Sequence, residues 1–169
     1  GGTPLVNAEK LGYFLGIEKL YLKFEGVNPT GSQKDRLSYY SVKDAISQNK
    51  TDITIGSCGN FGASLSYVAK KAGITAHICV PQEYTNKRIC QMEDWGADVI
   101  KIPGSYETAV EESKRLANEN GWYDANPGGK NTVLGMMSYI GIVDELINEL
   151  PSEPAMVAVP VGNGTTMAG

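Results

Sequence analysis

The sequence has one histidine, three cysteines and no long apolar run, and each shortage excludes a class of protein. His77 has no second histidine with which to form a metal cluster, and Cys58, Cys79 and Cys90 have neither zinc-ligand nor CxxC spacing. The apolar runs are a few residues long, whereas a membrane span needs about 20. Basic residues number 15 against 19 acidic ones, a net charge of −4, without the clustered lysines and arginines of a nucleic-acid binder.

The remaining composition is that of a folded protein. Hydrophobic residues make up 41% of the 169 residues and charged ones 20%, which excludes intrinsic disorder. An odd number of cysteines suits a reducing compartment, so a cytoplasmic location is expected. The chain does not begin with methionine, and it ends in a glycine-rich loop directly after an apolar segment. A fold is not expected to be complete at such a loop. We therefore expect it to be the front part of a longer polypeptide.

From residue 51 onward, short apolar runs alternate with longer amphipathic segments. Strands are predicted over 52–57, 74–80, 98–102, 122–125 and 155–161, and helices over 63–71, 85–95, 105–120 and 132–150. Thr85 and Ser105 are the predicted N-caps, and Gly73 is a predicted C-cap. Strands separated by helices of this length pair in parallel through right-handed crossovers, which predicts a doubly wound α/β fold. Before residue 51, a strand over 20–25 and a helix over 34–49 are predicted.

Three polar loops at junctions into helices are the candidate sites, because ligands of open α/β sheets collect at the carboxyl ends of strands. The first, the lysine loop (residues 28–34), ends in Lys34 in the first turn of a helix. A cation there is electrostatically disfavoured, and burial would lower its pKa toward that of a usable amine nucleophile. The alternative is a solvated lysine paired with Asp35 or Glu25.

The second, the serine loop (residues 57–62), reads Ser-Cys-Gly-Asn-Phe-Gly. Its glycines let backbone N–H groups approach an anion, and Asn60 adds a donor and an acceptor. The alternative is an ordinary turn in which Asn60 caps the helix. The third, the glycine loop (residues 161–166), offers a phosphate cradle of backbone donors with two threonine hydroxyls, or else is a flexible loop. His77 is interpreted as a packed strand residue.

Together the loops resemble the fold-type II family of pyridoxal-phosphate enzymes over nearly the whole chain. This family includes threonine synthase, threonine dehydratase, cysteine synthase and the tryptophan synthase β chain. The matching segments, in order, are Gly2-Thr3-Pro4-Leu5, Glu25 with Asn28-Pro29-Thr30-Gly31-Ser32 and Lys34-Asp35-Arg36, Ser57-Cys58-Gly59-Asn60-Phe61-Gly62, Pro81 with Lys87, Gln91 and Gly96-Ala97, and Pro160-Val161-Gly162-Asn163-Gly164. The resemblance implies two open, mostly parallel, doubly wound domains of the tryptophan synthase β-like type. Part of the larger domain is then missing from this chain.

The resemblance also implies roles for single residues. Lys34 would hold the cofactor pyridoxal 5′-phosphate as an internal Schiff base and then move protons at the substrate. Asn60 would hydrogen-bond the phenolic oxygen of the cofactor. The substrate carboxylate would be bound by Ser57, Gly59, Asn60 and Phe61, and the cofactor phosphate by Gly162, Asn163, Gly164, Thr165 and Thr166.

The expected activity is that of a lyase acting on a small amino acid, nearest to the threonine synthases, which form threonine from O-phosphohomoserine. The alternatives are another family member, such as threonine dehydratase or cysteine synthase, or a non-catalytic amino-acid-binding domain. Gln33, Cys58 and the 134–138 segment depart from the family pattern and leave the substrate open. Residues 1–50 and 131–169 are assigned to the larger, cofactor-binding domain and residues 51–130 to a smaller, mobile one. The family is usually dimeric, so a homodimer without metal, nucleic-acid or membrane partners is expected.

Overall fold

The computed structural model describes residues 1–162 and 164–169. A two-stranded antiparallel ribbon comes first and a four-stranded parallel sheet follows. The strands are β1 (Leu5–Asn7), β2 (Tyr21–Lys23), β3 (Asp52–Gly56), β4 (Thr75–Pro81), β5 (Asp98–Ile102) and β6 (Tyr123–Asp124). The helices are α1 (Glu9–Leu15), α2 (Lys34–Ser47), α3 (Asn60–Ala72), α4 (Lys87–Asp94), α5 (Tyr106–Asn120), α6 (Thr132–Glu149) and α7 (Thr165–Ala168). None of the helices in these residues is long and apolar enough to cross a bilayer.

The parallel sheet has the strand order β5-β4-β3-β6. The chain moves outward from β3 to β4 and β5 and then returns past β3 to form β6. Because parallel crossovers are right-handed, this reversal places α5 on the opposite face from α3 and α4. Both faces of the sheet are therefore covered, and the predicted doubly wound α/β fold is confirmed.

The side chains of the central strands alternate between two apolar layers. On one face, Ile55 and Ile78 join the main core with Leu65 of α3. On the other face, Cys79 packs with Ala109 of α5. This alternation follows from the two-residue period of a strand, and it explains why the predicted strands are apolar almost throughout.

His77 lies in β4 with its ring stacked on Trp122, at a centroid distance of 3.7 Å and an interplanar angle of 2°. Its ring nitrogens lie 2.9 Å from Asp52 Oδ1 and 3.0 Å from Asp98 Oδ2. These contacts are near the amino ends of the strands, whereas the serine loop leaves the sheet at the carboxyl end of β3. The interpretation of His77 as a packed strand residue is confirmed.

Most predicted elements between residues 51 and 150 are present, with bounds that move by a few residues. Gly73 is the C-cap of α3 at φ 74°, and Ser105 caps α5 by accepting a hydrogen bond from the N–H of Thr108. Two details were wrong. The N-cap of α4 is Asn86 rather than Thr85, because Asn86 accepts hydrogen bonds from two backbone N–H groups. Asn60 is not an N-cap, since Gly59 holds that position and Asn60 is the first helical residue.

The strand predicted over 155–161 was also wrong. In the described part of this segment no residue is in a strand, and its apolar side chains are largely exposed, Met156 by 84% and Val161 by 66%. An apolar run becomes a strand only where a neighbouring strand offers a hydrogen-bonding edge. The segment lies outside both of the sheets described for this chain.

Within residues 1–25, the sequence predicted only the strand at residues 20–25. β1 and α1 were not predicted. β1 pairs with β2 in the register Leu5 with Lys23. This part of the chain is anchored to α6, since Lys23 Nζ lies 2.9 Å from a carboxylate oxygen of Glu145 and Gly2 N–H donates to the same carboxylate at 2.9 Å. The start of the chain therefore lies against α6, the helix whose Tyr139 contacts Lys34.

Candidate active site

The lysine loop is held in one conformation by its own side chains. A tight turn forms where Gly31 N–H donates to the carbonyl of Asn28 at 2.7 Å, and the φ of 81° at Gly31 favours glycine. Asp35 accepts hydrogen bonds from both the N–H and the hydroxyl of Thr30. These contacts close the loop onto the first turn of α2 and fix where Lys34 begins the helix.

Lys34 has a half-buried side chain that ends near Tyr139 of α6. Its Nζ atom donates a hydrogen bond to the hydroxyl of Tyr139 at 3.2 Å and lies 5.6 Å from the centroid of that ring. Burial lowers the pKa of the Lys34 amine from its usual value near 10.5, because the charged form loses hydration. At a given pH, such a lysine has a larger neutral fraction than an exposed lysine, and the neutral amine is the nucleophilic form.

The alternative in which Lys34 pairs with Asp35 or Glu25 was wrong. The carboxylate of Asp35 accepts hydrogen bonds from Thr30, as described above. Glu25 forms an ion pair with Arg36 at 2.8 Å, and the side-chain hydrogen bond from this arginine contributes to holding the pKa of the carboxyl below its usual range, against the opposing effect of burial. Both acids therefore have other partners.

Lys34 and the glycine loop line one cleft, with a volume of about 290 Å³. The residues that line this cleft are Gln33, Lys34, Pro160, Val161, Gly162, Gly164 and Thr166. Gly164 is the N-cap of α7 at φ 81°, a backbone conformation that favours glycine. Asn163, assigned to the phosphate site from the sequence, lies outside the described residues. A primary amine thus lies opposite a glycine-containing turn that is followed by two threonines.

The serine loop leads from β3 into α3. Ser57 Oγ accepts a hydrogen bond from Gly62 N–H at 3.1 Å, which satisfies one of the N–H groups that a helix start leaves unpaired. Asn60 is exposed, whereas Phe61 is 6% exposed and belongs to the core. Of the four residues predicted to bind the substrate carboxylate, Phe61 can therefore contribute only its backbone.

Two side chains at the start of α4 join the serine loop to the lysine loop. Asn86 Nδ2 donates to the carbonyl of Cys58 at 2.9 Å. Arg88 Nη1 donates to the carbonyl of Thr30 at 2.8 Å. The two loops are therefore held by one short helix, although they are about thirty residues apart in the chain.

Sequence reasoning missed Asn86, Arg88 and Tyr139. An asparagine directly before a helix is a recognisable cap, so Asn86 had a local signal. Tyr139 had none, since it lies 105 residues from Lys34 and looks like any other core residue of an amphipathic helix. No group of three or more potential metal ligands occurs in residues 1–162 and 164–169.

The fold is a doubly wound α/β fold, and its cleft holds a half-buried lysine whose pKa is lowered. The family model of the pyridoxal-phosphate dependent enzymes matches residues 1–169, and the chain belongs to this family, whose cofactor is pyridoxal 5′-phosphate. The donor set of the cleft fits this cofactor, because an amine of lowered pKa suits its aldehyde and a glycine turn with hydroxyl groups suits its phosphate.

Curated relatives and solved structures agree with this assignment. The threonine synthase of Mycobacterium leprae is 32% identical over 96% of this chain and 45% of its own length. That of Methanosarcina acetivorans is 33% identical over 96% of this chain and 40% of its own length. The chain thus spans less than half the length of these relatives.

Two solved structures resemble this chain over nearly all of its length. Diaminopropionate ammonia lyase from Escherichia coli has a TM-score of 0.88 over 99% of this chain and 49% of that one, at 20% identity. The O-acetylserine-dependent cystathionine beta-synthase from Helicobacter pylori has a TM-score of 0.81 over 98% of this chain and 56% of that one, at 26% identity. Their likeness supports the fold described above.

Proposed function

We propose that this chain is the lysine-bearing part of a pyridoxal-phosphate-dependent lyase that acts on a small amino acid. The observation that carries the proposal is the position of Lys34, a half-buried amine of lowered pKa on a cleft shared with the glycine loop. When bound, the cofactor supplies an electron sink for negative charge at the substrate carbon atoms. Lys34 would hold the cofactor through its amine, and it would accept and return a proton at those carbons.

The remaining roles divide between the loops. The backbone N–H groups of Gly162 and Gly164, with the hydroxyls of Thr165 and Thr166, hold the phosphate. In the serine loop, Ser57 keeps the start of α3 in shape through Gly62. The hydroxyl of Ser57 and the N–H groups of Gly59, Asn60 and Phe61 then bind the substrate carboxylate, and the exposed amide of Asn60 also hydrogen-bonds the phenolic oxygen of the cofactor. Asn163 is assigned to the phosphate site by its place in the sequence.

The substrate we propose is O-phosphohomoserine, with threonine and phosphate as products. Support comes from the threonine synthases that are 32% and 33% identical over 96% of this chain. In a dimer of the full-length protein, residues 51–130 form the smaller domain that closes on the substrate and excludes water. Phosphate release from O-phosphohomoserine, measured beside ammonia release from threonine, separates this activity from that of a threonine dehydratase.

The test of the cofactor role is Lys34→Ala in the full-length protein. We expect the variant to lose the visible absorption of the cofactor-loaded protein together with turnover, because none of the other described residues that line the cleft carries an amine. Lys43→Ala is the matched control, since Lys43 is an exposed lysine on the same helix. An unchanged visible spectrum in Lys34→Ala would contradict the proposal.

Borohydride reduction distinguishes the enzyme from a non-catalytic amino-acid-binding domain. Reduction of the loaded wild-type protein should attach the cofactor covalently to the peptide that contains Lys34, and peptide mapping by mass spectrometry identifies that peptide. A simple binding domain leaves all peptides unmodified.

A further inference from the structure

Tyr139 is a fully buried tyrosine that contacts Lys34. Its side chain is 1% exposed, yet its hydroxyl lies 3.2 Å from Lys34 Nζ. The centroid of the ring lies 5.6 Å from the same Nζ atom. A buried phenol needs a hydrogen-bond partner, and one of its partners here is the lysine on which the proposed function depends.

The hydroxyl of Tyr139 keeps its proton at neutral pH. Burial raises its pKa to about 12, while a hydrogen bond with Thr166 acts in the opposite direction. A neutral phenol both donates and accepts hydrogen bonds. Tyr139 therefore has one contact to the lysine and one to the start of α7, which follows the glycine loop.

The charged groups around this pair are already engaged with one another. Glu25 raises the pKa of Tyr139 through its charge, but it is ion-paired with Arg36, which also binds Glu145. Asp35, the neighbour of Lys34 in the chain, is held by Thr30 as described above. The Lys34 amine is therefore hydrogen-bonded to a neutral hydroxyl and not to either of these carboxylates.

We propose that Tyr139 is a positioning residue for Lys34, holding its Nζ atom at the cleft beside the glycine loop in both protonation states of the amine. As an ammonium, Lys34 donates to the phenol oxygen. As a neutral amine, Lys34 accepts a hydrogen bond from the phenol O–H, and the proton stays on the phenol. This inference rests on the proposed role of Lys34.

The test is the titration of Lys34 in the cofactor-free, full-length protein. Acetic anhydride labels the neutral amine, and mass spectrometry of the Lys34 peptide gives the extent of labelling between pH 6 and 10. In Tyr139→Phe both forms of the amine lose this hydrogen bond, but the ammonium loses the stronger, charge-assisted one while the burial remains, so the midpoint should fall by about half a pH unit or more. Tyr40→Phe, on the same helix as Lys34, is the control and should leave the midpoint unchanged.

A midpoint in Tyr139→Phe that equals the wild-type value, or lies above it, overturns the positioning role. The labelling does not involve the cofactor, so its outcome is separate from that of the proposed function, which fails if borohydride leaves Lys34 unmodified. Circular dichroism establishes that each variant is folded.

If Tyr139→Phe does not fold, the wild-type protein labelled with [13Cζ]tyrosine is titrated beside Lys34→Met. A tyrosine resonance that moves with pH in the wild type and stays constant in Lys34→Met supports the contact. Identical tyrosine titrations in the two proteins overturn it.

Discussion

Gly56, the last residue of β3, lies directly against the backbone of α5. A Cβ atom at this position would lie 2.5 Å from Val110 Cα and 2.7 Å from Val110 N, and both of these are backbone atoms that cannot rotate away. The serine loop begins at the next residue. The absence of a side chain at Gly56 therefore sets both the packing of α5 and the point from which Ser57 leaves the sheet.

Gly56→Ala should consequently destabilise the protein by about 2 kcal/mol, because a methyl group in this space forces α5 outward. The measurement is the free energy of unfolding in urea without cofactor. Gly162→Ala serves as the control, since a Cβ there meets nothing within 4 Å, and a change within about 0.5 kcal/mol is expected. Equal stabilities of Gly56→Ala and the wild type would show that α5 adjusts freely.

At the scale of the element, α4 is short but connects two of the candidate loops. Asn86 caps it by accepting from the N–H groups of Arg88 at 2.9 Å and Ile89 at 3.1 Å, and its amide also holds the carbonyl of Cys58. One side chain thus stabilises the helix through its oxygen and the serine loop through its nitrogen.

Substitutions of Asn86 separate these two roles. Asn86→Ala should cost about 2 kcal/mol, roughly half from the lost cap and half from the lost bond to Cys58. Asn86→Asp keeps the capping oxygen but loses the donor. Hydrogen exchange should therefore quicken in the serine loop in both variants, and in α4 only in Asn86→Ala. Normal protection of the serine loop in Asn86→Asp would count against the role of Asn86 in holding it.

The elements also show how far sequence reasoning reaches. The helices and strands between residues 51 and 150 followed from apolar periodicity and from glycine at helix ends, such as Gly73, because these signals act within a few residues. The segment 155–161 is more apolar than β3, but it has no neighbouring strand in either described sheet. Pairing depends on distant parts of a chain, so the local pattern alone was insufficient.

The candidate site was likewise predicted in its local features but not in its long-range contacts. Its loops were predicted from glycine spacing and from a lysine at a helix start, and Lys34 and Thr166 do lie on one cleft. The contact between Lys34 and Tyr139 depends on how α2 and α6 pack, which no local pattern specifies. The actual partners of Asp35 and Glu25 were likewise not evident, because each had several polar neighbours in the sequence.

At the scale of the whole molecule, one network of charges joins segments that are far apart in the chain. Arg36 of α2 bonds Glu25 and, with its Nη1 atom at 2.8 Å, Glu145 of α6. Glu145 also accepts from Lys23 of β2 and from the N–H of Gly2. Ion pairs and hydrogen bonds around Arg36 and Glu145 therefore connect the amino terminus, the segment before the lysine loop and α6. Arg36 lies two residues after Lys34 in α2.

The pH dependence of stability should reflect this network. The Arg36 guanidinium, as the largest influence, holds the pKa of Glu145 well below its usual range. A carboxyl with a lowered folded-state pKa stabilises the protein above its unfolded-state pKa of about 4.3, and that stabilisation is lost as the pH falls through the folded-state value. Glu145→Gln should thus lower the free energy of unfolding by about 2 kcal/mol at pH 7 and by progressively less below pH of about 4.

Glu149→Gln is the matched control for Glu145→Gln. Glu149 lies one turn further along α6 and bonds Lys23 at 2.9 Å, but it is an exposed residue, so its loss should cost less than about 1 kcal/mol. Urea unfolding at a series of pH values measures both variants. A deficit in Glu145→Gln that stays constant from pH 7 down to pH 3 would mean that its carboxylate charge does not stabilise the fold. The charge network would then be a consequence of the packing of α2 on α6 rather than a cause of it.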